Sequence, residues 1–368
     1  MKSSGKAAKI LGIILVAVCI IIFVVVRRME LVSDGYNTNV EKWDNIYSGN
    51  NIEFYYINNN IHEITSLSDT YDVGSVVSGV TGDLNTTVAL DQWLREKCSV
   101  SLDVMDSNKD TNEILSTMFK NSTISQKDYN VVMQELLASV NVRTRIGEYG
   151  GNDVYSILEV FDKELNKWVA YDVLTGGYFV GDNGPLSGVE LVDTDINSIK
   201  IVTKDGETPI NKKAMKKLKE SKESYTIKID NSKYEGTLIN AVITYVKDQK
   251  DIQLESKRGY IQPSIFVSDT GVFGLNPWEE YEDDQSDSIP TLIFAKRNVK
   301  EDGEKYIKFS LGAFQNSVML NDFYVRINGG DYIKVNSYYD LSVEQGENKI
   351  ELSLDGVNVL RTVVINHK

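Results

Sequence analysis

Histidine and cysteine are nearly absent from this chain. Its 368 residues hold two of each: His62 and His367, Cys19 and Cys98. Cys19 lies inside an apolar run and His367 stands next to the C-terminus, which leaves Cys98 and His62 as the one plausible nucleophile–base pair. No Cys or His cluster has zinc-ligand spacing, and no cofactor is expected. A disulfide framework is excluded too, because Cys98 has no partner outside the apolar run. A basic surplus is also lacking. Against 39 Lys and Arg stand 53 Asp and Glu, a net charge of −14. With no basic face to neutralise phosphates, nucleic acid is not an expected partner. The one basic stretch, INKKAMKKLKESK at 210–222, reads as a solvated helix or a charged linker (210–223). No repeat of fixed period is present.

What the chain does have begins at its N-terminus. Lys2, Lys6 and Lys9 precede ILGIILVAVCIIIFVVV, residues 10–26, which contain no charge and no proline. At 1.5 Å per residue this run spans about 25 Å as a helix, near the lower limit for a bilayer. No small-x-small cleavage site follows, so the run reads as an uncleaved signal anchor. Residues 1–9 form a short cytoplasmic tail and 27–45 a polar juxtamembrane linker. The three lysines and the amino terminus outweigh Arg27 and Arg28, which places the bulk of the chain outside the cell membrane as a single-pass protein. Sparse cysteine and the Asn, Lys, Tyr and Ile bias suit a surface protein of a Gram-positive bacterium.

Between 46 and 209 the pattern is helices first and a small sheet afterwards. Helices are expected near 61–72, 86–98, 111–120 and 125–140, and strands near 142–149, 154–162 and 167–173. Gly150-Gly151-Asn152 signals a hairpin between the first two strands, and Gly176-Gly177 ends the third. The helix from 125 ends in Leu136-Leu137. Arg145 sits on the next strand, Glu159-Val160 on the second, and WVAYD, Trp168 to Asp172, forms the third.

In order and spacing this core, 86–178, resembles the transglutaminase-like superfamily, which is related to papain. The resemblance implies an α+β domain with a catalytic cysteine opening the helix, a histidine opening the second strand and an aspartate closing the third. Counting back from Leu136 puts Gln126 in the cysteine position. Counting back from Glu159 puts Tyr155 in the histidine position. Asp172 alone is retained. A glutamine amide is no nucleophile, and a phenol titrating near pH 10 is a poor proton shuttle. No catalytic residue is therefore expected, and the domain reads as a pseudoenzyme. A slip of one residue would put Ser125 at the helix start, still without a base. Gln126, Tyr155, Asp172 and Ser125 then either line a groove that holds a peptide or glycan, or close it by hydrogen-bonding each other. Arg145 and Glu159 read as scaffold paired across adjacent strands, and Trp168 as core.

Cys98 ends the amphipathic pattern TTVALDQWLREKC and reads as a buried free thiol, while His62 reads as a surface residue at a loop or helix start. From about 224 the texture changes. YTIKI, TLIFAK, KYIKFSL, FYVRI, DYIKV, KIELSL and VLRTVVI are short strand-like runs separated by Gly, Asn, Asp and Ser. The spacing predicts one or two β-sandwich modules over 224–368. The closing segment, with Asn328-Gly329-Gly330 followed by a Gly-Glu-Asn turn, resembles bacterial immunoglobulin-like surface modules. Inside this region Glu279, Glu280, Glu282, Asp283, Asp284 and Asp287 are oxygen donors suited to calcium, but their spacing matches no EF-hand, and a solvated acidic loop is the plain reading. Trp278 and Tyr281 are residue types that stack on sugar rings or pack on a neighbouring domain.

Three functions fit. One is a membrane-anchored, inactive transglutaminase-like protein that binds cell-wall or surface polymer, a peptide, or an envelope partner. Another is an acyl-transfer enzyme or peptidase using Cys98 or Ser125. The third is a passive spacer or adhesion scaffold.

Overall fold

The computed structural model describes residues 38–49, 52–107, 109–118, 123–150, 155–230, 241–254, 262–279, 288–297, 307–315 and 318–367. The tail 1–9, the apolar run 10–26, residues 27–37 of the juxtamembrane linker, Gly151 and Asn152, and acidic residues 280–287 lie outside them. Among the described residues no helix is long and apolar enough to cross a membrane. The fold is mixed α/β and sheet-rich.

Its centre is a ten-stranded sheet. The strand order is Gly206–Thr208, Lys200–Thr203, Gly177–Gly181, Lys167–Asp172, Tyr155–Asp162, Thr144–Tyr149, Ser224–Lys228, Val242–Val246 and Ser264–Val267, with Gly184–Pro185 added beside Gly177–Gly181. Strand Tyr155–Asp162 is buried at all eight positions because both faces of the sheet are covered. Leu158 and Val160 face one apolar cluster with the helices. Tyr155 and Ile157 face a second cluster on the other side. This two-residue alternation is what sorts the strand's side chains.

The central helix, Gln126–Ser139, buries Val132, Met133, Leu136 and Leu137 in the first cluster. Helices His62–Tyr71, Asp83–Arg95 and Thr111–Met118 pack around it. All four helices and the three core strands fall within a few residues of the positions expected from periodicity.

Three boundaries differ from the sequence reading. Of the two readings of 210–223, helix or linker, the structure shows the helix. Asn211 caps a helix, Lys212–Ser221, whose Ala214 and Leu218 are fully buried in the second cluster while its lysines face outward. The sheet also does not end at 209. Ser224–Lys228 pairs antiparallel with Thr144–Tyr149, aligning Tyr225 with Tyr149. Strand-like texture identifies a strand without naming its partner, so the compositional change near 224 does not coincide with a sheet boundary. Finally, Thr38–Asp44, inside the expected juxtamembrane linker, is a strand paired with Arg361–His367, and Trp43 is buried in the C-terminal core.

Of residues 224–368, expected as one or two β-sandwich modules, the strands as far as Ser264–Val267 belong to the central sheet, and those from Thr291–Lys296 onward form one sandwich with Thr38–Asp44. A five-stranded sheet, Thr38–Asp44, Arg361–His367, Gly346–Ser353, Asp322–Ile327 and Ile333–Asn336, shares a single apolar cluster with a four-stranded sheet. The second sheet holds Thr291–Lys296, Ile307–Gln315, Val318–Met319 and Tyr339–Val343. Asn328 and Gly329 both take positive φ in the hairpin between Asp322–Ile327 and Ile333–Asn336, the conformation that Asn-Gly favours. The first strand of the sandwich thus precedes the helical unit in sequence, and the remaining strands follow it.

Candidate functional site

The N-terminus of the central helix faces the start of strand Tyr155–Asp162. Ser125 is the cap: its hydroxyl accepts the Asp128 N–H at 3.0 Å. Gln126 follows as the first helical residue. Its side chain lies against the Tyr155 hydroxyl, yet its Nε2 has no hydrogen-bond partner. Tyr155 donates to Asp172 Oδ1 at 2.7 Å. Asp172 in turn accepts the backbone N–H groups of Leu174 and Thr175, at 3.1 and 3.0 Å, and the Thr175 hydroxyl at 2.5 Å. Gln126, Tyr155 and Asp172, expected at the three triad positions, therefore do come together.

They do not line an open groove. Ser125, Gln126, Tyr155 and Asp172 are all buried, none more than 5% exposed. The lysine-bearing helix Lys212–Ser221 accounts for part of the cover. The N–H of Asn211 donates to the Thr175 hydroxyl at 3.1 Å, which extends the Asp172 network outward. Ala214 and Leu218 share the apolar cluster of Tyr149 and Tyr155, and Lys213 is ion-paired with Asp103 on the opposite segment. Of the two outcomes open at the sequence level, the mutual hydrogen bond of Tyr155 and Asp172 is the one observed.

The chemistry available here is poor. Burial first, then the adjacent Asp172 carboxylate, pushes the Tyr155 hydroxyl well above the usual phenol range. It is a fixed donor at neutral pH rather than a base. The Ser125 hydroxyl is committed to its cap. Cys98 is 6% exposed, and burial outweighs nearby Arg95 to push its thiol up to about 12. His62 is exposed at the start of helix His62–Tyr71. Cys98 and His62 are thus in unlike environments, and no contact between them is described. Among the described residues no group of three His, Cys, Asp or Glu is placed to hold a metal ion. Of the acidic calcium candidates, Glu279 is described and accepts from the Asn276 amide at 3.1 Å. The others lie outside the described residues.

On the same strand as Tyr155 stands a buried ion pair. Arg145 and Glu159 are cross-strand neighbours, and Arg145 Nε donates to Glu159 Oε2 at 2.7 Å. Glu159 Oε1 accepts the Gly188 N–H at 2.7 Å, and Arg145 Nη2 donates to the Phe273 carbonyl at 2.6 Å. The pair therefore ties strand, helix Gly188–Asp193 and the Phe273 turn together, as the scaffold reading expected.

Sequence reasoning missed a second polar network. Asp91, 1% exposed, accepts from the hydroxyls of Tyr129 and Tyr171 at 2.7 and 2.8 Å and from Arg95 Nε at 2.7 Å. Arg95 also donates to the Val173 carbonyl. Burial raises the Asp91 carboxyl despite these donors. The available signal was an acid between Leu90 and Leu94 on an apolar helix face. Thr175 was missed as well, although an Asp followed by Thr three residues later is a side-chain-capped turn pattern. Tyr225 gave no signal. Its ring sits where Gly147 and Gly188 leave room: a Cβ added at either would lie 1.9 or 2.2 Å from the Tyr225 hydroxyl.

A scan against models of protein families finds none that matches this chain, and a search of curated proteins finds none either.

Proposed function

We propose that this chain is a membrane-anchored extracellular protein with an inactive transglutaminase-like domain, and that it binds cell-wall or surface polymer or an envelope partner. One observation carries the inactive half of this reading. The side chains at the cysteine, histidine and aspartate positions, Gln126, Tyr155 and Asp172, converge, yet all three are buried and Tyr155 is locked onto Asp172 by a hydrogen bond, with neither thiol nor imidazole among them. Convergence from three separate elements supports descent from an acyl-transfer site. Closure supports its loss.

The closed lock also moves binding to the outer surface of the domain. In this reading the anchor is residues 10–26. The chain then enters the sandwich through Thr38–Asp44 before building the helical unit. That order favours a sandwich close to the membrane, with the transglutaminase-like unit carried beyond it.

Full-length protein in detergent tests the reading. Wild type is expected to show no hydrolysis of peptides and no amine incorporation. A Gln126→Cys, Tyr155→His double variant is expected to show the ultraviolet absorbance of a thiolate at lower pH than Gln126→Cys alone, because an imidazole at the second position favours the thiolate. Thiolate absorbance rising at the same pH in both variants would remove the triad assignment. Wild-type turnover abolished by Ser125→Ala or Cys98→Ala would establish the enzyme instead. Co-sedimentation with purified cell walls is expected, and a protein that stays in the supernatant counts against polymer binding.

A further inference from the structure

The ion pair beneath the lock begins a stack that reaches the surface. Arg145 Cζ lies 4.0 Å from the centroid of the Trp168 ring. Tyr56 stacks on Trp168, with centroids 5.8 Å apart and planes 7° from parallel. Arg143 Cζ lies 5.9 Å from Tyr56 and 4.6 Å from Trp278. Lys163 Nζ closes the series, 5.2 Å from the Trp278 centroid. Trp278 is 42% exposed, whereas Trp168 is 1% exposed. The series thus connects an indole at the surface to a buried ion pair.

Further bonds fix the outer end. Trp168 Nε1 donates to the Leu275 carbonyl at 2.8 Å. Asn276 accepts the Trp278 N–H at 2.9 Å and donates to Asn166 at 2.9 Å. Arg143 also lines a small, partly open crevice of about 10 Å³ with Asn59, Asn141, Thr144 and neighbouring apolar residues. Such a crevice accommodates a water or one small group of a ligand, not a whole ring. Asn59 and Asn141 are hydrogen-bonded to each other at 2.8 Å through one amide group each.

Arg143 is the member with unused capacity. Its Nη1 donates to the Ile57 carbonyl at 3.1 Å, but its buried Nε has no partner. No carboxylate among the described residues forms an ion pair with it. Burial without an acid lowers its pKa. Lys163, by contrast, has Asp83 at 3.4 Å. A part-exposed indole, an arginine with no acidic partner among the described residues and two amide side chains are the parts of a carbohydrate site. Sugar C–H faces stack on aromatic rings, amides bond hydroxyls, and arginine bonds carboxylates.

We propose that Trp278, Arg143 and Lys163 form a binding site for a carboxylated sugar, the ring lying on the open part of the indole and the carboxylate at Arg143. This takes its ligand class from the surface-polymer reading above. The site itself is separate from the lock: Arg143 follows the C-terminal end of the 14-residue central helix, about 20 Å along the axis from Gln126.

The experiment compares N-acetylmuramic acid with N-acetylglucosamine, which lacks the lactyl carboxylate, by titration into full-length protein in detergent micelles. The acidic sugar is expected to bind about fivefold more tightly, the scale of one part-exposed ion pair. Trp278→Ala is expected to weaken both sugars about tenfold. Arg143→Gln is expected to erase the preference. Lys163→Gln serves as a second charge variant if Arg143→Gln disturbs folding, and is expected to reduce the preference. No binding of either sugar, equal binding of both by wild type, or unchanged binding by Trp278→Ala overturns the site. Wall sedimentation by wild type and Trp278→Ala alike, with no sugar preference, would overturn this site while leaving polymer binding intact. Failure of both sugars and walls would remove the two readings together.

Discussion

Glu159→Gln is the sharpest perturbation of the scaffold because it keeps the side chain's size and removes one buried charge. The Arg145 and Glu159 side chains are 1% and 0% exposed, so solvent cannot replace the lost partner. Breaking a buried pair by removing one member costs about 3–5 kcal/mol. Arg145 retains the Phe273 carbonyl at 2.6 Å and the Trp168 face at 4.0 Å, and both offset part of the loss. The amide oxygen introduced by Glu159→Gln can still receive the Gly188 N–H. The expected cost is therefore at the lower end, about 3 kcal/mol. It should appear as a fall of about 6–12 °C in the unfolding midpoint. Urea unfolding followed by circular dichroism measures the free energy. Adding Arg145→Met to the Glu159→Gln protein should recover at least half of the loss, because it deletes the stranded cation and leaves an apolar side chain of similar length. A single variant within about 1 kcal/mol of wild type, or a further loss in the double variant, would refute an uncompensated-charge account.

Gly147→Ala should cost about 3 kcal/mol in urea unfolding, since its Cβ would lie 1.9 Å from the Tyr225 hydroxyl and Gly188 blocks retreat on the other side. An unchanged midpoint would show that the ring is not wedged there. The buried tyrosines make alkaline stability a second readout. Burial, together with nearby carboxylates, holds Tyr129, Tyr149, Tyr155, Tyr171 and Tyr225 well above the usual phenol range. Their folded pKa values exceed the unfolded value near 10, so their contribution is complete below pH 10 and is lost as pH rises through and beyond it. Tyrosinate absorbance from these residues should therefore grow together with unfolding. Their full titration while circular dichroism remains native would contradict the burial argument.

The helical unit was legible because its signals are local. The helix ending in Leu136-Leu137 and the strands carrying Glu159 and Trp168 to Asp172 could be read from local pattern, whereas the meeting of Gln126, Tyr155 and Asp172 was expected only from the family resemblance. The cross-strand Arg145–Glu159 pair could be read from the register those strands imply. The lysine-rich segment was less legible. Its charge is visible along the chain, but Ala214 and Leu218 show their burial only once the sheet is assembled. Ser224–Lys228 is similarly strand-like in isolation, and nothing local says that it pairs with Thr144–Tyr149.

By itself the sequence determined the chemical limits: one cysteine and one histidine away from the ends and the apolar run, an amide and a phenol rather than a thiol and an imidazole at Gln126 and Tyr155, and a net charge of −14. Those follow from residue types, which no fold can change. Only the tertiary structure decided that the lock is closed, that a lysine helix helps to cover it, and that Trp278 is stacked outward on Arg143 rather than buried. Strand Thr38–Asp44 meets Arg361–His367 across more than three hundred residues in the same way. Closure, cover and long-range pairing depend on which distant surfaces exclude water together, and that is settled by packing rather than by any stretch of chain.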